Sequence, residues 1–278
     1  MSQIPRWSVA LSLLVLIACD PPAPVAPVEP VVVAPPPPIE KVELDAAEDH
    51  SSHLVPSPAE TQRAMENMGI ATGISKLVRE RKLDMATDNK DVVAVRTGVA
   101  LADCLLTLKD AEKPKLIERL ELVRSGMNAL GAGGNVNMTL EDLIARVTND
   151  SASRDDLLRD LDEMHNNIIP EIEFQTGGDR FIPLMQAGSW LEGSNLVSRA
   201  ILEAGKPDAG TNLLRQPKIV AYFLGYVKDE GAAKAPQQVL VQLQKTLRRL
   251  EEISAKEAFT ADDVKEIEIQ TDAVLGML

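Results

Sequence analysis

The chain carries little of what conventional catalysis uses. Its 278 residues include two cysteines, three histidines and eight aromatic residues (four Phe, two Trp, two Tyr). No G-x-S-x-G, phosphate-binding loop, H-E-x-x-H or C-x-x-C-H pattern occurs, so the common nucleophile, nucleotide, zinc and haem signatures are absent. With aromatics at 3%, any core must be built from Leu, Val, Ile, Ala and Met. Positive charge is also scarce: the formal balance is −13, which opposes binding to nucleic acid or to anionic headgroups by simple electrostatics. The acidity is spread along the chain rather than gathered in a tail. The longest apolar stretch, Trp7 to Ala18, falls short of the roughly 20 residues that a membrane-spanning helix needs.

What is present begins with that stretch. Arg6 supplies positive charge ahead of about a dozen apolar or small residues, the pattern of a secretory signal. It closes on Leu16-Ile17-Ala18-Cys19. This segment resembles the signal peptide of bacterial lipoproteins, whose lipobox is an aliphatic residue, a small or aliphatic residue, a small residue and then cysteine. The resemblance implies that residues 1–18 are removed, that the Cys19 thiol carries a diacylglyceryl group, and that the protein is exported and held at the cell envelope. Two or three chains suffice for lasting attachment, since each buried methylene adds about 0.8 kcal/mol. With Cys19 lipidated, Cys104 has no partner for a disulfide.

Residues 19–57 read as the anchor and a linker. Pro21, Pro22, Pro24, Pro27, Pro30, Pro35 to Pro38 and Pro56 stand among Val, Ala and Glu, without glycine. Proline fixes φ and removes the amide donor, so polyproline II is favoured and regular structure is not expected. The stretch suits a stalk, or a plain spacer. His50 and His53, with Asp45, Glu48 and Asp49 nearby, have no fixed geometry for a metal and read as polar linker.

From residue 58 to 278 the periodicity is helical, and an all-α domain is expected: a single bundle or irregular array of eight to nine helices. Ser57-Pro58-Ala59-Glu60 starts the first helix, with apolar residues at helical spacing through Val78. A second covers about Asp91 to Lys109, and a third runs from Pro114 to the glycines at 131–134. Thr139 is expected to cap a fourth, Ser153 a fifth to about Ile169, and Thr260 the last. Further helices are placed near 183–205, 212–229 and 236–257. Gly98, Leu101 and Leu106 align with Gly188, Leu191 and Leu196, too few matches to make a repeat.

The second helix is apolar around most of its circumference and is expected at the centre. Arg96, Asp103, Thr107 and Asp110 form a polar stripe on it. Either Arg96 and Asp103 line a pocket, or the stripe is solvated or salt-bridged; Asp103 is expected to be partly buried and hydrogen-bonded. Cys104 reads as a small buried hydrophobe rather than a nucleophile. A second surface, Gln186 to Asn195, combines small residues with Trp190 and Glu192, and there Glu192, Asn195, Arg199 and Glu203 share a face. Small residues at 187–189 and 193–194 suit close helix packing. Gly98 to Asp103 together with Gly188 to Gly193 resembles motifs of uncharacterised helical envelope lipoproteins, which implies no activity. His165 follows Asp162 by three, the spacing of di-metal bundles, but no second such motif exists, so it reads as a helix-end histidine.

These residues lead to a lipid-anchored, non-enzymatic helical module that binds an envelope protein or small ligand, with Arg96, Asp103, Trp190 and Glu192 as its polar cluster. The alternative is an envelope hydrolase or metal-dependent enzyme built on carboxylates such as Asp103 and Glu192. No cofactor, metal or nucleic-acid partner is expected.

Overall fold

The computed structural model describes residues 55–70, 73–164, 181–229 and 237–278. All of them belong to one compact unit, Glu48–Leu278. The expected signal segment, the proline-rich stretch up to residue 54, His50, His53, and His165 with the expected end of the fifth helix near Ile169 lie outside the described residues.

The described residues form ten helices and no strand: α1 Pro58–Asn67, α2 Lys90–Thr107, α3 Lys113–Leu130, α4 Gly134–Thr148, α5 over 154–164, α6 Phe181–Glu203, α7 Ala209–Leu214, α8 Pro217–Asp229, α9 Gln237–Ser254 and α10 Ala261–Leu275. The all-α expectation holds. Three of the expected helix starts are fixed by local chemistry. Ser57 Oγ accepts from Glu60 N at 3.1 Å while Ser57 N donates to Glu60 Oε2 at 2.8 Å, with Pro58 as the first helical residue. Thr260 and Asp263 repeat that reciprocal pair, and Ser153 Oγ accepts from Asp156 N at 3.1 Å.

Ser57 also donates its hydroxyl to Asp162 Oδ1 at 3.1 Å, tying the start of α1 to α5. Ser57→Ala is therefore expected to lower stability by about 1 kcal/mol, read as a shift of the denaturant midpoint at unchanged slope.

Elsewhere the boundaries differ from the sequence pattern, each for a physical reason. The first helix stops at Asn67 because Gly69 turns the backbone at φ 63°, yet Ile70 and Ile74 beyond it are only 2% and 1% exposed. Their spacing reported burial, not helix. From there a single 3-10 turn, Ser75–Leu77, leads into an irregular strap over 78–89. Thr139 does not cap α4: it lies inside the helix, its hydroxyl donating back to Asn135 O at 2.9 Å. The helix begins at Gly134 because Val136 continues the buried line Leu140, Leu143, Val147. The helix expected over 212–229 is two, α7 and α8, since Pro217 holds the residue before it out of helical backbone.

α2 is the centre, with every residue from Val93 to Thr107 buried except Val95 and Arg96. It packs on α6, α3 and α1, while α10 lies on α6, α9 on α10, and α8 on α9. The α2–α6 contact is a backbone-to-backbone crossing. A Cβ on Gly98 would lie 1.9 Å from the Met185 carbonyl oxygen, and one on Gly188 would lie 2.0 Å from that of Val95. Each glycine thus faces the carbonyl three residues before the other, a reciprocal contact that only two missing side chains permit. The aligned Gly98 and Gly188 of the sequence are the two halves of one joint.

Candidate functional site

Just past that crossing, α2 and α6 each present a carboxyl group. Asp103 is 9% exposed and Glu192 is 0% exposed, and the two carboxyl groups lie close enough for each to act on the other's protonation. Burial is the first cause that pushes the Asp103 carboxyl well above the usual carboxylate range, and the facing Glu192 charge is the second. Burial raises Glu192 as well, against the pull of Arg81.

Cations and acids from three further elements close around the pair. Arg81, on the strap, donates from Nη1 to Glu192 Oε2 at 2.7 Å and from Nη2 to Asp272 Oδ1 at 3.3 Å. Arg199 stands two turns beyond Glu192 on α6, with Nη1 donating to Leu77 O at 2.6 Å and Nη2 to Asp272 Oδ1 at 3.4 Å. Its Nε lies 3.4 Å from Glu268 Oε1. Arg79 pairs with Asp272 as well, and Lys265 with Glu268. Asn195 donates to Glu268 O at 2.9 Å and Thr271 Oγ1 at 3.0 Å, which fixes α10 against α6. On the other side, Arg119 of α3 donates to Thr107 Oγ1 at 2.6 Å, and Thr107 donates to the Asp103 carbonyl. The strap is thereby held by ion pairs, and α2, α6 and α10 share one partly dehydrated charge network.

Of the four residues expected to cluster, the structure brings together Asp103 and Glu192 only. Arg96 points elsewhere on α2, donating from Nε to Leu278 O and from Nη1 to Asp84 O, both at 2.5 Å. Trp190 faces away from Glu192, two residues apart on a helix of 3.6 residues per turn. Its Nε1 donates to Gln216 Oε1 at 2.7 Å and its ring centroid lies 5.2 Å from that of Phe223. The polar stripe is not one solvated strip: Asp103 and Thr107 are buried, whereas exposed Asp110 accepts from Ser75 N at 3.0 Å and Ser75 Oγ at 2.6 Å. Cys104 is wholly buried and its thiol is pushed up to about 12, so it carries no thiolate at neutral pH.

Of the face shared by Glu192, Asn195, Arg199 and Glu203 that was legible in the sequence, the first three act in the network, while Glu203 is exposed at the last position of α6. Arg79, Arg81, Glu268 and Asp272 were not legible there. The acid pair at 268 and 272, one turn apart beside the buried line Val264, Ile267, Thr271, is the signal that marks α10 as a partner.

Two clefts are lined by described residues. One of about 580 Å³ lies between α9 and α10 and includes Lys245, Arg248, Arg249, Glu252, Glu266 and Gln270. The other, about 20 Å³, lies beside Trp190, Pro58, Gly193 and Leu213. Neither reaches Asp103 or Glu192. Among the described residues no group of three or more His, Cys, Asp or Glu could hold a metal ion, and no helix is long and apolar enough to cross a membrane. No family model matches the chain, and neither a curated protein nor a solved structure matches it.

Proposed function

We propose that the protein is a lipid-anchored module of the cell envelope, a helical domain tethered through Cys19 that binds an envelope protein or small ligand without catalysing a reaction. The observation that carries the reading is Leu16-Ile17-Ala18-Cys19 at the end of a short apolar run and ahead of a proline-rich stretch. The domain's chemistry supports the non-enzymatic half. The buried acids Glu192 and Glu268 and the half-buried Asp272 are engaged by Arg81, Arg199 and Arg79, so their charge is spent within the fold rather than offered to a substrate.

The second reading, an envelope enzyme using carboxylates, draws on Asp103 and Glu192, two acids in unlike surroundings. Their burial, and their absence from the linings of the two clefts described, weigh against it, because a substrate needs access to the reacting group.

Cys19→Ser is expected to abolish acyl labelling and to leave uncleaved precursor, since the processing that the lipoprotein resemblance implies follows lipid transfer. Labelling of the variant equal to that of the parent would rule out the anchor.

A further inference from the structure

The Asp103 and Glu192 pair has a feature that its ion partners do not explain. Arg81 satisfies Glu192 Oε2, but Glu192 Oε1 and Asp103 Oδ1 are both fully buried and receive no N–H or O–H donor from the described residues. Two ionised carboxylates offer only acceptors, so they cannot hydrogen-bond to each other, and two buried acceptors left unmet would each be costly. One added proton meets both needs at once. We propose that Asp103 and Glu192 form a one-proton site that ties α2 to α6 beside the Gly98–Gly188 crossing, with the proton on Asp103 donated to Glu192 Oε1.

The proton sits on Asp103 because Glu192 is the acid that Arg81 engages directly. The groups facing the pair account for its charge. Arg81 comes from the strap and Arg119 from α3; Arg199, two turns beyond Glu192 on α6, is itself held by Glu268 and Asp272 of α10, which also take Arg79. Cys104, the neighbour of Asp103 on α2, remains a thiol. When the proton leaves to bulk water, Asp103–COOH···⁻OOC–Glu192 becomes two facing carboxylates, and the bond across the helix joint is replaced by repulsion in a site with little water.

The sign of the linkage follows. In the unfolded chain both acids titrate near their ordinary values, at about 4. In the folded chain the pair keeps its proton to higher pH, so between those two values the folded state binds the extra proton. The pair's contribution to stability is complete below about pH 4 and is lost as pH rises through the pair's own raised value. With one proton involved, the folding equilibrium constant falls by at most about tenfold per pH unit across that window.

The test compares the full chain with Asp103→Asn by denaturant titration at a series of pH values. Asparagine places a permanent N–H donor where the proton stood, so the descending limb of the parent profile should be absent from the variant, whose advantage over the parent grows as pH rises. Parallel profiles would overturn the proposal. A direct readout stands beside this one: carboxyl carbon NMR of the parent should show a side-chain acid titrating well above the ordinary range, missing from Asp103→Asn. If that variant does not fold, the parent titration decides alone, and every carboxyl titrating in the ordinary range refutes the one-proton site. Glu192→Gln offers a donor from the other side, with lower overall stability because Arg81 loses its charged partner, and its descending limb should be smaller than the parent's and centred at lower pH, because the facing charge is gone while Asp103 stays buried.

Discussion

Gly98→Ala is expected to lower the unfolding free energy by about 3 kcal/mol, the upper part of the usual overpacking range, as read by denaturant titration. Two effects compete. Alanine in a helix interior is favoured over glycine by about 1 kcal/mol. Against this, the new methyl would sit 1.9 Å from the Met185 carbonyl oxygen and 2.9 Å from Ser189 N. Both obstacles are backbone of α6, which cannot rotate aside as a flexible side chain would, so α2 and α6 must part. Every helix that packs on either one then loses contact, and repulsion wins. Gly193→Ala supplies the control, because a Cβ there meets nothing within 4 Å on the same helix α6. It should be neutral or stabilising by up to about 1 kcal/mol. If Gly98→Ala and Gly193→Ala behave alike, the close crossing is not what holds the two helices. Gly188→Ala should match Gly98→Ala in size, and the double variant should be non-additive because the two glycines share one contact.

Arg81→Ala is expected to cost about 3 to 5 kcal/mol at neutral pH, the range for breaking a buried pair from one side. Arg81 is 12% exposed and Glu192 0% exposed, so solvent cannot replace the lost cation. The same substitution removes the strap's ion pair to Glu192 of α6 and one of its two holds on Asp272 of α10, leaving Arg79 as the other. Lysine should recover only part of the loss, since a point charge cannot reach Glu192 and Asp272 with two separate N–H groups as the guanidinium does. The cost should shrink toward acid pH. Without Arg81 the carboxyl of Glu192 takes up a proton more readily, and a neutral acid is cheaper to bury than a stranded anion. A stability loss below about 1 kcal/mol at neutral pH would place Arg81–Glu192 with ordinary surface pairs and remove the basis for the prediction. Read together with Asp103→Asn, the two variants separate the proton from the cation, since one supplies a permanent donor to Glu192 and the other withdraws its counter-charge.

Much of the fold was readable locally. A helix start needs only a side-chain acceptor and a reciprocal acid three residues on, so Ser57 with Glu60 and Thr260 with Asp263 could be identified from four residues each. The apolar circumference of 90–107 marked the central helix because burial on every side demands it. Where local signals misled, a second cause gave the same pattern. Ile70 and Ile74 kept helical spacing because they are buried, though the chain there is not helical. Thr139 had the type and offset of a cap but spends its hydroxyl inside α4.

The site divides along the same line. Sequence alone determined that the domain is helical, that α2 lies at its centre, and that Glu192, Asn195 and Arg199 share one face, since periodicity along one helix is a local property. It singled out Asp103 and Glu192 as well, but grouped them with Arg96 and Trp190, which belong to other contacts. Only the tertiary structure decided that Asp103 and Glu192 meet, that Arg81 comes from a strap 111 residues before Glu192, and that α10 supplies Glu268 and Asp272. The meeting depends on the Gly98–Gly188 crossing, which brings two backbones close enough to set one carboxyl against the other. Charge, burial and a shared proton are properties of that pairing, and no residue carries them before the helices pack.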